Sequence, residues 1–503
     1  MGKYLCYDLK GIQHYIFQVP KLKCCIGGSR QIDGFDKKTT DEVATNTSGA
    51  EKIYAGGGKG AFECETDDAL EKVKQQLVGK AHELGLTIRF GYSEDYSVAA
   101  QEIKETYSYQ PEVLDGQPCS ISGLYPTMSN NGIHPLIQQR IELGGKHDEE
   151  SDVEKALLKP IRDYFQNNAL QFFYDAEEAA GTLGNRNRWA VVCMDGNDMG
   201  MQFLEFKKTA PDDVKWKDWL TKMSKSLDEV TCHAAAAGMK KVAELYLAKE
   251  KHDDVLPLRP LIVGGDDVTV LVGCEYAFDF VEEVIRSFNN QSKKFSDLWV
   301  GTQGELTISA GILFAPVTLP LHSAIEYAEL LLKSAKTKGR ELKAGKGDRM
   351  ASPSCLDWES VTEGLLDEPA KRRQRELKFI EDETGNKVEL TERPYSMADF
   401  PELEKLADHV VESFKLPAVI QHQLHPALYA PLHERLAFYA KIGKNYPDLR
   451  KYLQESVPSP ELKNVQYGEG WKVENGRQTT RLLDALLLLQ EQNRMAHPTT
   501  EEK

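Results

Sequence analysis

No apolar run in the chain reaches the length of a transmembrane helix, and residues Met1 to Asp8 lack the layout of a signal peptide. We therefore expect a cytoplasmic protein with no membrane contact. Basic charge is also short, 62 Lys and Arg against 78 Asp and Glu, for a formal net charge of −16. That balance argues against free-standing, non-specific nucleic-acid binding, since phosphate contacts need Lys and Arg. A local basic groove, or RNA held by partner subunits, stays compatible with it. Cysteine is sparse: nine residues, odd in number and scattered, fit reduced thiols better than a disulfide framework.

What is present is ordinary globular composition, 41% hydrophobic and 28% charged, over 503 residues. This is too long for one core, so two to four domains are expected. The most informative stretch is Pro260 to Val272. Two β-branched runs flank Gly264-Gly265-Asp266-Asp267, a hairpin whose tip carries adjacent carboxylates. Gly and Asp suit turns for backbone reasons alone. Two fixed carboxylates also suit hard divalent cations, which take oxygen ligands. Upstream, Arg188 to Met194 reads as a fully buried strand ending at Asp195-Gly-Asn-Asp-Met-Gly200. An Asp at the end of a core strand, beside an acid-tipped hairpin, is how palm-type polymerases and cyclases build a two-metal site.

Residues 4 to 17 read as strand then helix, Ile53 to Cys64 as a hairpin, Asp67 to Leu84 as a helix and Leu86 to Tyr92 as a strand. The same order surrounds the Asp266-Asp267 hairpin, so residues 1–107 are read as a first palm, a diverged internal copy. Its tip, Gly56-Gly57-Gly58-Lys59, has no carboxylate pair, and the P-loop spacing is absent. Lys23 to Asp33 is expected as a turn and a helix start, with Gly27-Gly28-Ser29 as a candidate cap. Residues 108–187 form a polar helical connector, 188–345 the second palm, and 346–503 a C-terminal helical domain. In the second palm we expect an antiparallel ferredoxin-like βαββαβ sheet with helices over one face, and Ala234 to Ala237 packed closely on that sheet. On the last helix of this palm Leu330, Leu331 and Leu332 should face inward, with Lys333 and Lys336 on another face. Further on, Lys371 to Lys378 and the acidic Glu381 to Glu392 are expected at a solvated surface, the latter as an exposed loop. The leucines of the final helix, Gln478 to Gln492, must be buried in this chain or against a partner.

Asp195-Gly196 with Met199-Gly200, then Gly264-Gly265-Asp266-Asp267, Ile308-Ser-Ala-Gly-Ile312 and Ala335-Lys336, resemble in order and spacing one family. It is the large, polymerase-like subunit of type III CRISPR effector complexes, the Cmr/Csm large-subunit family, related to GGDEF and class III cyclases. Asp8 with Gly11 to Phe17 and Gly27-Gly28-Ser29 resembles that family's first palm, which is catalytically silent and helps hold a second nucleotide. The resemblance implies an α+β fold with two palms, and synthesis of cyclic oligoadenylate from ATP. It implies Asp195, Asp266 and Asp267 as catalytic ligands of Mg²⁺ or Mn²⁺. It implies Ser29, Gly196, Asn197, Gly264, Gly265 and Lys336 at the nucleotide, and other effector subunits with guide and target RNA as partners. Self-association is left open.

Three departures stand out. The family usually writes Asp-Gly-Asp, where this chain has Asn197 followed by Asp198. Its zinc insert opens with Cys-x-x-Cys, where this chain has Cys119 and then Ser122, so no zinc is expected. Its N-terminal HD nuclease has no counterpart before the first palm, and His147-Asp148 and His252-Asp253 are isolated pairs, so DNA cleavage is not expected. Two other readings follow from these departures: a weak or inactive scaffold for CRISPR RNA, and a free-standing cyclic-dinucleotide synthase in anti-phage signalling.

Overall fold

Two sheets with one strand order carry the fold. The computed structural model describes residues 3–492 except 111–115, 147–149, 183–186, 210–212, 250–251, 345–349, 363–366, 383–384, 454–470 and 475–476. The His147-Asp148 pair lies outside the described residues. In the first sheet, strands Ala50–Gly56, Lys59–Cys64, Lys3–Leu9, Ile88–Ser93 and Glu105–Tyr107 lie side by side in that order, all antiparallel. In the second, Leu258–Gly264, Asp267–Gly273, Arg188–Gly196 and Ile308–Pro316 repeat the order. Numbered by chain position within each palm, the first four strands of both sheets run 2-3-1-4, the ferredoxin-like arrangement. The second sheet continues past residue 345. Cys355–Ser360 joins it parallel to Ile308–Pro316, and Tyr395–Ser396 closes the edge.

Helices cover both faces of the second sheet rather than one. From Trp189 to Met194 every residue is buried, and successive side chains of a strand point to opposite faces. Ala190, Val192 and Met194 join the core made with helices Asp213–Leu247 and Ala277–Ser292. Trp189, Val191 and Cys193 join the core made with helix Leu321–Lys343 and the first palm. An unbroken apolar run has no wet face, and that is the physical reason for the second layer. The Ala234 to Ala237 segment contributes Ala234, Ala235 and Ala236 to the core that holds Val192, Val268 and Val270 of the sheet. It belongs to the tight seam between helices Asp213–Leu247 and Ala277–Ser292, where a Cβ on Gly238 would lie 2.5 Å from Val284 and 2.9 Å from Phe280. On helix Leu321–Lys343, Leu331 and Leu332 face inward, but Leu330 is 38% exposed, because three consecutive helical residues cannot share one face.

Gly27, Gly28 and Ser29 are neither a turn nor a cap. They lie in the middle of one helix, Leu22–Gly34. A Cβ on Gly27 would fall 2.0 Å from the carbonyl oxygen of Arg140, so glycine here permits close contact with helix Pro135–Gly144 of the connector. The connector's next helix, Asp152–Phe165, starts with a capping box between Ser151 and Glu154. The Glu154 carboxylate is buried between two guanidinium groups. Arg30 of the first palm reaches it at 2.7 Å, and Arg259 of the second palm pairs with its other oxygen. One acid thus joins connector and both palms.

The C-terminal region is helical but also holds a four-stranded sheet, Lys378–Ile380, Lys387–Glu389, Arg477–Thr479 and Lys472–Glu474. Part of the Glu381 to Glu392 stretch is therefore strand rather than exposed loop: Val388 and Leu390 are buried, and Glu381 pairs with Arg435 at 2.6 Å in the interior. Arg373, expected at a solvated surface, is buried against Asp357 and Glu359. The final helix spans Leu482–Glu491, and its leucines Leu482, Leu483, Leu486, Leu488 and Leu489 are buried within this chain. Among the described residues no helix is long and apolar enough to cross a membrane.

Removing one member of a buried ion cluster strands the others. Glu154→Ala, which leaves Arg30 and Arg259 facing each other, should destabilise the chain by about 3–5 kcal/mol, read as a lower midpoint in urea denaturation. An unchanged midpoint would mean the cluster does not join the palms.

Candidate functional site

Ladder register brings the acids together. Asp267 stands opposite Asp195, and Gly264 opposite Asp267, so Gly265 and Asp266 form the turn. Gly265 adopts a φ of 59°, which favours glycine. The Gly196 N–H donates to the Asp266 carbonyl at 3.2 Å, and a Cβ on Gly196 would lie 2.9 Å from the Asp266 Cβ. Any larger residue at 196 would push the acidic tip off the strand end. The Asp195 and Asp266 carboxyls are close enough to act on each other. Lys336 pairs with the Asp195 carboxylate and donates to the Gly196 carbonyl at 2.8 Å. Asp195, Gly196, Asp266, Asp267 and Lys336 therefore meet in one place.

The cluster carries more negative charge than its lysine offsets. Burial, and then the charge of Asp195, hold the Asp266 carboxyl well above the usual carboxylate range. Burial and Asp195 push Asp267 up to about 6, while Lys336 and Lys59 pull the other way. Asp267 is also open to solvent, so water weakens the repulsion there. Glu329, raised to about 7 by burial and then by Asp267, adds to the acidic excess. Among the described residues no three His, Cys, Asp or Glu side chains form a ready metal cage. The donor set nevertheless suits a hard divalent cation, because crowded carboxylates lack a matching positive charge.

Asn197 and Asp198 do not add to this carboxylate group. The Asn197 amide donates to the Thr307 hydroxyl at 2.9 Å, and its backbone N–H to the Thr307 carbonyl at 2.8 Å. Asp198 accepts the Ser352 N–H at 2.7 Å and pairs with Lys343 at 3.2 Å. Ser29 is elsewhere as well, its hydroxyl donating to the Leu261 carbonyl on the strand that leads to the hairpin. It fastens one palm to the other.

The first palm repeats the register with different charges. Asp8 stands opposite Lys59, as Asp195 stands opposite Asp267, and Gly57 and Gly58 fill the turn. Asp8 is paired with Arg89 from the neighbouring strand. Where the second palm sets carboxylate against carboxylate, the first sets carboxylate against cation. Asp36 holds this second tip, accepting the Gly58 N–H at 2.7 Å and the Tyr7 hydroxyl at 3.2 Å.

Helix Asp213–Leu247 touches both hairpins. Its Thr221 donates to the Ile53 carbonyl at 3.1 Å. Further along, Thr231 donates to the Gly265 carbonyl at 2.6 Å and Asp228 accepts the Gly265 N–H at 3.2 Å. Sequence reasoning missed Asp228, Thr231 and Asp36, since single polar residues on helices bear no local sign of the turn they hold. Lys59 was readable as a missing acid, but not as a charge acting on Asp267.

Residues 188–344 match the family model of the Cas10/Cmr2 second palm domain. That segment, which bears Asp195, Asp266, Asp267 and Lys336, is thus similar to a Cas10/Cmr2 palm. Csm1 of T. onnurineus aligns at a TM-score of 0.53 and 12% identity, covering 99% of this chain and 70% of that one. A Csm1-Csm4 cassette in complex with cA4 aligns at 0.52 and 12% identity, covering 98% of this chain and 70% of that one. Another, in complex with cA3, aligns at 0.51 and 12% identity, covering 99% and 70%. No curated protein matches the sequence. The chain therefore carries a Cas10/Cmr2 second palm within the fold of Csm1, and the large-subunit resemblance of its motifs holds.

Raised carboxyl pKa values oppose folding once the groups ionise. The folded state then binds more protons than the unfolded one, so stability falls as pH rises from the ordinary carboxylate value through the folded one. For Asp267 that window runs from 3.8 to about 6. In chelator at pH 8, Asp266→Asn/Asp267→Asn should melt above the native chain, and the gap should close near pH 4. Mg²⁺ should raise the melting temperature of the native chain alone. Identical melting profiles at both pH values would show that the acids are not in conflict.

Proposed function

We propose that this chain is a nucleotidyltransferase of type III CRISPR defence that condenses ATP into cyclic oligoadenylate and releases pyrophosphate. The observation that carries the reading is the cross-ladder pairing of Asp195 with Asp267, with Asp266 folded onto Gly196. Relatives sharing the fold supply support: Csm1-Csm4 cassettes have been solved in complex with cA4, cA3 and AMPPNP.

Asp195, Asp266 and Asp267 would hold Mg²⁺ or Mn²⁺. When bound, such ions activate a 3′ hydroxyl and offset charge on the triphosphate and leaving pyrophosphate. The chain's own residues do the rest by positioning. Gly264 and Gly265 leave the backbone bare for a nucleotide to approach, and Gly196 lets the acidic tip seat on the strand end. Lys336, within reach of Asp195, supplies a cation against phosphate charge that grows in the transition state. Asn197, anchored by Thr307, keeps the strand end in place. Lys59 lowers the Asp267 pKa from the first-palm side, which we assign to holding the acceptor nucleotide. Another effector subunit, and guide and target RNA, are the proposed partners.

A second reading has its own observation. Asn197 stands where the resemblance would provide a carboxylate and is anchored to Thr307, while Asp198 is held by Ser352 and Lys343, an arrangement that favours a weakly active or silent scaffold.

Incubating the chain with ATP and Mg²⁺ or Mn²⁺, alone and with effector subunits and RNA, and analysing products by mass spectrometry separates the two. The proposal expects cyclic oligoadenylate from the native chain in at least one condition, and none from Asp266→Ala/Asp267→Ala with its circular dichroism unchanged. Absence of product throughout would favour the scaffold.

A further inference from the structure

Helix Leu321–Lys343 has a second charged side that the proposed reaction does not use. Lys338 follows Lys336 by two residues, about 200° around the helix axis, so it cannot face the acidic cluster with Lys336. It borders a recess of about 230 Å³ between this helix and the C-terminal sheet. Lys472, Arg477 and Arg481 come to the same recess from a distant part of the chain. Four cations therefore line one cavity in a chain of net charge −16.

Two carboxylates also line it, Glu392 and Asp399. Glu392 is engaged by Arg481 at 2.5 Å, and Asp399 accepts the Ser396 hydroxyl at 2.7 Å. Arg477 binds Glu389 through one nitrogen and keeps other N–H donors. Lys338, half-buried, has no ion-pair partner among the described residues. A lysine on a wet surface needs no partner, but one that is half-buried beside two arginines gains from an anion.

Size narrows the ligand. Sites for drug-sized molecules occupy roughly 300–1,000 Å³, so this recess is small for a whole nucleotide and roomy for phosphate groups. We propose that the recess binds a ligand bearing adjacent phosphate groups, with Lys338 and Arg477 as its main contacts. Such phosphates could come from a free pyrophosphate or polyphosphate chain or from successive phosphodiesters of an oligoribonucleotide. The site does not depend on catalysis by the palm. An occupant would tie the C-terminal sheet to the helix that carries Lys336.

The test is calorimetric titration of the full chain with inorganic pyrophosphate and with a riboadenylate tetramer lacking a 5′ phosphate. Chelator is kept present so that the metal-free acidic cluster repels both probes. Lys338→Glu and Arg477→Ala are run beside the native chain, the second being an exposed strand residue whose loss leaves the fold intact if the first does not. We expect saturable binding of one probe at least, weakened about tenfold or more in either folded variant, the loss of one charged hydrogen bond. Binding of pyrophosphate assigns the free-phosphate source, and binding of the tetramer alone assigns the backbone source. No binding of either probe by the native chain, or unchanged affinity in both variants, would overturn the proposal.

Discussion

A single buried carboxylate reaches both palms at once. Glu154 takes Arg30 with one oxygen and Arg259 with the other, and its own helix start is closed by the Ser151 capping box. Two guanidinium groups and one carboxylate in a desolvated seam leave a net positive charge, and cation–π contact of Arg30 and Arg259 with Tyr174 helps disperse it. Arg259 lies near the start of the strand that ends at Gly264, and Ser29, next to Arg30, donates to Leu261 on the same strand. The acidic hairpin is therefore built on a strand gripped from the first palm and the connector.

The two palms solve one electrostatic problem in two ways. A ladder position next to the hairpin turn forces two side chains together across the strands. In the first palm that pair is Asp8 and Lys59, opposite in charge, and Asp8 is paired with Arg89. In the second it is Asp195 and Asp267, and Lys336 balances only part of their charge. The first arrangement is electrostatically complete and the second is not. A site short of positive charge is a site with an appetite for cations, and only the second copy keeps it.

Much of this was legible in the sequence because it depends on local pattern. Apolar runs bounded by Gly and Asp located the strands and both hairpins, and the repeated order of elements revealed the duplication. Asp195 and Asp266-Asp267 could be put together because a βαββαβ sheet allows few other neighbours for them. What escaped reading depends on tertiary contact. Gly27 to Ser29 looked like a cap because nothing local marks Arg140 as a backbone that must come close. Glu381 to Glu392 looked solvated because the partner of Glu381 is Arg435, far along the chain. The side to which Asp198 turns was not readable, because Lys343 and Ser352, which hold it, are far along the chain. Layering on both faces was implicit in Trp189 to Met194, where six consecutive buried residues leave no side for solvent.

Helix Asp213–Leu247 holds one hairpin through Thr221 and the other through Thr231. Ten residues separate these contacts, about 15 Å of helix, and each residue turns the face by about 100°. The segment between them thus acts as a ruler with a fixed phase. Point changes on its outer side leave the ruler intact, whereas inserting or deleting even one residue would swing one hairpin's anchor away from its partner. Variation in length among related chains should accordingly fall outside residues 221–231 and collect in the loops on either side.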